Sequence, residues 1–200
     1  MRTDQKRGFL VISVVGLALA ASPAAIGQTI HIDIANPTLA PGESTLVTLS
    51  ASYPSGFYAV AGVITEVVVN QIQGELSDPA LVAPMDGPGT SEGTVSAAGG
   101  IEGILAGQLN FPPAGIFADP SNPIAFHTFE YTWDGSLSGP VLLDIETRTS
   151  DFFEYVDRDR SVSDPLADIT EGRARIVIPA PASALILGLG ALTAVRRRRS

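Results

Sequence analysis

The residues best placed to do chemistry form the run Asp157-Arg158-Asp159-Arg160-Ser161-Val162-Ser163-Asp164-Pro165-Leu166-Ala167-Asp168. With Asp157 as position 1, oxygen-bearing side chains fall at positions 1, 3, 5, 7 and 12, the spacing of a calcium loop. The candidate Ca²⁺ ligands are therefore Asp157, Asp159, Ser161 and Asp168. Against them, Val162 stands where the sharp turn takes glycine, Asp168 replaces the longer bidentate glutamate, and two arginines bring positive charge to the ion. A solvated acidic loop is the competing reading.

Gly89-Thr90-Ser91-Glu92-Gly93 matches the G-x-S-x-G spacing of a nucleophile elbow. That elbow needs a strand before the serine and a helix after it, whereas a Gly/Ser-rich stretch follows here. His31 and His127 each lie in an apolar-periodic run with no second histidine at ligand spacing. The many carboxylates offer no pair that the sequence singles out for glycoside chemistry. No catalytic residue and no cofactor is assigned, and a hydrolase using Ser91 is kept as the enzyme-class rival.

The elements that must carry these residues are strands. Ile30, Ile32 and Ile34 alternate with Thr29, His31 and Asp33, and a second alternating run follows the turn Pro41-Gly42-Glu43. Phe57 to Val69 reads as a longer strand with a bulge or crossing at Gly62, and Val67-Val68-Val69 as buried on both faces. The stretch Leu76 to Met85 is broken by prolines, and Asp86 to Gly100 reads as a long surface loop. Ile101 to Leu109 forms a further strand.

Ile124 to Trp133 is expected to put Ala125, His127, Phe129, Tyr131 and Trp133 on one face and Ile124, Phe126, Thr128 and Glu130 on the other. Val141, Leu143 and Ile145 face away from Leu142, Asp144, Glu146 and Arg148; a short run Phe152 to Val156 follows, and Arg173 to Ile178 closes the domain. No sustained 3.6-residue apolar pattern occurs in this region. The expected fold is an all-β, antiparallel two-sheet sandwich of Ig-like or jelly-roll type.

Both ends read as addresses. Residues 1–27 have a basic start at Arg2, Lys6 and Arg7, an apolar core from Phe9 to Ala20, and small residues at Ala25 and Gly27, so a signal peptide cut before Gln28 is expected. Residues 179–200 hold Pro179-Ala180-Pro181, the apolar run Ala182 to Val195, and the cluster Arg196, Arg197, Arg198 and Arg199. An apolar helix followed by four arginines predicts a short span with its C-terminus in the cytoplasm and the domain outside.

This ordered tail resembles the PEP-CTERM sorting signal of Gram-negative and related bacteria, with Ala180 where the signature motif has glutamate. The resemblance implies an exosortase-like processing protease, transient anchoring in the inner membrane, and delivery to the cell surface or extracellular matrix. A permanent single-span anchor is the alternative.

Between these ends, residues 28–178 form one domain of 151 residues. It holds 20 of the 21 acidic residues but only five of the 12 basic ones, Arg148, Arg158, Arg160, Arg173 and Arg175, a net charge of −15. Such a surface repels nucleic acid and favours basic partners. Without cysteine there is no disulfide framework.

Pro41-Gly42-Glu43 before a Thr/Val strand, Val60-Ala61-Gly62, Ser138-Gly139-Pro140 before Val141-Leu142-Leu143, and Glu171-Gly172 before Arg175 to Ile178 resemble cohesin-like and carbohydrate-binding-module sandwiches. The expectation is a non-enzymatic structural or adhesive surface protein. A protein- or polysaccharide-binding module is the alternative, and Tyr53, Phe57, Tyr58, Tyr131, Trp133, Phe152, Phe153 and Tyr155 are the aromatics from which a sugar platform could be drawn.

Overall fold

The computed structural model describes residues 27–70, 74–108, 117–135, 141–158 and 169–179. Among them are ten strands: β1 (Gln28–Ile34), β2 (Ser44–Ser52), β3 (Ala59–Val69), β4 (Glu75–Leu81), β5 (Ser91–Val95), β6 (Ile101–Gly107), β7 (Ile124–Thr132), β8 (Val141–Tyr155), β9 (Ile169–Thr170) and β10 (Arg173–Ile178). They make two five-stranded sheets, the first in the order β4-β7-β2-β1-β9 and the second in the order β10-β8-β3-β6-β5. Pairing is antiparallel except between β1 and β9. This is the two-sheet sandwich that the period-2 alternation called for.

Side chains from both inner faces meet in one core. Trp133, Phe126, Phe129 and Phe152 are its largest fully buried members, packed with Ile30, Leu49, Val63, Ile104, Leu143, Ile145 and Ile176. The chain turns into β2 through Pro41-Gly42, where Gly42 takes a left-handed φ of 79° and its N–H donates to the Trp133 carbonyl at 2.8 Å. That bond ties the β1–β2 connection to the end of β7.

Several sequence expectations meet the register directly. Gly62 sits at a shift in the β3–β8 pairing between Val60 and Gly62, the bulge expected there. Val67 and Val69 are buried, whereas Val68 is half-buried and pairs with Glu146 on the outer side. In β7 the simple alternation fails. Leu49 pairs with His127 and Ser50 with Ala125, so Phe126 is an extra residue and the strand changes phase there. Ile124 and Phe126 point inward before the bulge, as do His127, Phe129 and Tyr131 after it.

The stretch 86–100, expected to be a loop, contains the edge strand β5, paired with β6 through Ser91↔Leu105 and Val95↔Ile101. The broken stretch 76–85 holds the opposite edge strand, β4. Its pairing to β7 shifts between Ser77 and Ala80, around Asp78 at φ 50° and Pro79. Proline and a bulge on an edge block further strand addition. The run Phe152 to Val156 belongs largely to β8, a single strand of 15 residues.

The inner ends of the sheets are tied by polar groups. The Glu171 carboxylate, in the turn between β9 and β10, accepts from Thr147 Oγ1 at 2.7 Å, Thr149 N at 2.7 Å and Thr149 Oγ1 at 3.0 Å. Thr149 Oγ1 also lies 3.1 Å from Thr65 Oγ1. This network satisfies the buried threonines of β8 and β3 where the chain crosses between sheets.

Candidate functional site

Along β8 the residues Leu143, Ile145 and Thr147 point into the core, so Leu142, Asp144, Glu146 and Arg148 point out. β10 alternates in the same way, burying Ile176 and Ile178 and turning Arg173, Arg175 and Val177 outward. Because Val177 pairs with Leu142, Arg175 with Asp144 and Arg173 with Glu146, the two strands place like beside like or opposite charges together. β3 continues the ladder, with Glu66 opposite Arg148 and Val68 opposite Glu146, and Ile64 opposite Leu105 of β6.

Three cross-strand ion pairs result: Arg175–Asp144, Arg173–Glu146 at 3.5 Å and Arg148–Glu66 at 3.7 Å. The Arg175 guanidinium, hydrogen-bonded to Asp144, holds that carboxyl below the usual carboxylate range and is itself raised. The arginine side chains are more than half exposed and the carboxylates half-buried, so the pairs stay open to solvent and contribute little to folding. Beside the Arg175–Asp144 pair stand Leu142 at 47% exposure and Val177 at 39%; Leu105, at 36%, lies on the same face two strands over from β8, level with Asp151. Shallow depressions run between these groups, one of about 360 Å³ touching Ile64, Glu66, Arg148 and Ser150 and another of about 270 Å³ beside Gly62, Leu105 and Gly107.

The outer face of the first sheet is different. It presents Ser44, Thr48, Thr128 and Thr132 with the acids Asp33, Glu75 and Glu130, and no arginine among the described residues. Leu46 is its one large exposed apolar residue among those described. His31 lies here, 2.8 Å from Ser52 Oγ. Three of the domain's five arginines thus converge on one face of a strongly anionic body.

The other sequence candidates do not assemble into a site. Ser91 starts β5 and pairs with Leu105, with no helix after it, so the nucleophile elbow does not form. His127 is fully buried on β7 and bonds the Glu92 carbonyl through Nε2 at 2.9 Å; burial pushes its pKa down. Of the calcium candidates only Asp157 is described, and it is exposed; Asp159, Ser161 and Asp168 lie outside the described residues. No three His, Asp or Glu converge on a metal position among the described residues.

Tyr131, Trp133, Phe152 and Tyr155 are core residues, leaving Tyr53, Phe57, Tyr58 and Phe153 only half-buried. Tyr53 is committed as well, its hydroxyl donating to the Tyr58 and Pro120 carbonyls. Pro179 is exposed, while residues 1–26 and 180–200, with Ala180, Pro181 and Arg196 to Arg199, lie outside the described residues.

The charged face was half visible in the sequence. The phase of Leu142, Asp144, Glu146 and Arg148 can be read from β8 alone, but which arginines meet those acids depends on the register with β10 and β3.

No protein-family model and no curated protein sequence matches the chain. Solved structures do. The seventh ScaB type I cohesin of Pseudobacteroides cellulosolvens superposes with a TM-score of 0.55 at 15% identity, covering 78% of this chain and 94% of that one. The sixth cohesin of Acetivibrio cellulolyticus scaffoldin B, solved in complex with a dockerin, gives 0.52 at 13% identity over 78% and 99%. A cohesin module from a Clostridium perfringens family 33 glycoside hydrolase gives 0.52 at 12% identity over 76% and 97%. At these identities the likeness is one of fold.

Proposed function

We propose that this chain is an exported, non-enzymatic surface module that docks a protein partner on the outer face of the β10-β8-β3-β6-β5 sheet. The observation that carries the reading is that this one face holds three cross-strand ion pairs with the exposed pair Leu142 and Val177 directly beside them, and Leu105 farther along the same sheet. Apolar anchors next to arginine-carboxylate pairs are what a specific protein interface uses, the first for affinity and the second for register. The body around the face is strongly acidic, so the partner carries a basic rim. The cohesin-like fold supports a dockerin-like partner, since a cohesin of this fold has been solved with one.

Delivery follows from the two ends. Residues 1–27 direct export, and residues 179–200 hold the chain in the membrane until an exosortase-like protease releases it to the surface or matrix. The geometry suits a tethered module. Gln28 lies beside the Glu154 end of β8 and Ile178 pairs with Val141 at its other end, roughly 40 Å away along the strand. A domain held by its C-terminus therefore stands end-on and offers the charged face sideways.

The test compares single substitutions on the two faces. Leu142→Asp is expected to abolish binding of the extracellular partner, and Leu46→Asp on the other sheet to leave it intact, both proteins keeping the wild-type melting transition. Equal binding by both variants would overturn the proposal. Cell fractionation tests export separately: recovery of the uncut chain in the cytosol contradicts it.

A further inference from the structure

Gln28 opens β1, and its side chain is fully buried. Its Nε2 donates to Glu154 Oε1 at 2.6 Å and lies 3.5 Å from the Phe152 carbonyl. Gln28 belongs to the first sheet, and Phe152 and Glu154 to β8 of the second. The amide therefore crosses the interior and locks the sheets together where the domain begins. Glu154 is also fully buried, so the bond engages a carboxylate that water does not reach.

We propose that Gln28 is the N-terminal residue of the mature protein and that its side-chain amide is a modification site gated by folding. Cyclisation to pyroglutamate is open to the unfolded, exported chain and is closed once the amide docks on Glu154. The proposal rests on the reading of residues 1–27 as a leader removed before Gln28.

The chemistry needs no added reactant. The α-amino nitrogen of Gln28 attacks its own side-chain Cδ, a new C–N bond closes the five-membered lactam, the Cδ–Nε2 bond breaks, and Nε2 leaves as ammonia after taking a proton. In the folded chain Cδ cannot fold back onto the backbone nitrogen without breaking the Nε2–Glu154 bond, and Gln28 is also fixed in the β1–β9 ladder opposite Ile169. The gate acts in both directions. A chain that cyclises before folding has lost the Nε2 donor and presents Glu154 with no amide in its place, so the modified chain folds less stably.

Intact mass of protein exported and processed by a host cell tests this in one series. The expected mature mass starts at Gln28 with the amide retained. On incubation at one pH and temperature, the folded protein loses ammonia, about 17 Da, at least about tenfold more slowly than the same protein held unfolded in urea. Glu154→Ala, which removes the acceptor, cyclises faster than wild type while folded; the urea comparison does not depend on that variant folding. A mass that starts elsewhere overturns the leader reading and the proposal with it. A start at Gln28 with equal rates in the folded and unfolded protein overturns the gate alone.

Discussion

Replacing Glu171 with alanine is expected to loosen the end of the sandwich where β9 hands over to β10. The carboxylate accepts three hydrogen bonds, two from threonine hydroxyls and one from the Thr149 backbone, and Thr147 is only 2% exposed. Hydrogen bonds to a charged acceptor contribute about 1.5–3 kcal/mol each in isolation, but three on one group are not additive. Glu171 is half-buried, so water reaches the vacated site in part, and Thr147 Oγ1 keeps the bond it accepts from Gly172 N at 2.8 Å. The net loss should be about 2–4 kcal/mol, a large share of the stability of a domain this size.

Urea unfolding followed by tryptophan fluorescence is a suitable assay, since the chain's only tryptophan, Trp133, is in the core. The midpoint should fall at constant m-value, and the thermal midpoint by roughly 5–15 °C. Glu171→Gln should recover about half of the loss, because one oxygen still accepts from Thr149 or the hydroxyls while the new NH₂ needs an acceptor. A Glu171→Ala loss below about 0.5 kcal/mol would refute the assignment of this network as a structural tie.

Other consequences follow from the packing. Burial lowers the pKa of His127, and its Nδ1 has no hydrogen-bond partner among the described residues. The stability that neutral His127 provides is present above its unfolded value of about 6.5 and is lost as pH falls toward the lower folded value. Wild type should therefore lose stability relative to His127→Leu between about pH 7 and pH 5, and equal slopes in urea titrations would contradict this. Gly93 in β5 has φ 82°, and a Cβ there would lie 2.9 Å from the Glu102 carbonyl oxygen. Gly93→Ala should cost about 1–3 kcal/mol by denaturant midpoint, and an unchanged midpoint would show that the β5 edge yields freely.

Alternation carried most of the fold into the sequence. Leu143/Ile145 against Leu142/Asp144 and the phase of Arg173 to Ile178 are local properties of a strand with one wet face, and the structure keeps them. Of the features that alternation did not show, three have separate reasons. β5, Ser91–Val95, is a polar edge strand with every residue at least partly exposed, so it leaves no hydrophobic signal. β7 carries an extra residue at Phe126, and a bulge reverses the phase that periodicity assumes. β8 looked like two segments because Thr147 to Asp151 is polar, yet those threonines are inward and satisfied by Glu171, 22 to 24 residues away. The charged face shares that limit: its charges are local, and their pairing belongs to the register.

Photo-crosslinking in cells that produce the protein decides which sheet meets a partner. A photoreactive phenylalanine analogue at Leu105 or Leu142 reports on the second sheet, and one at Leu46 on the first. All three positions are exposed, at 36%, 47% and 46%, so accessibility to the probe is comparable. A discrete protein adduct is expected from Leu105 and Leu142 and none from Leu46. Adducts from Leu46 with none from Leu105 or Leu142 would contradict this.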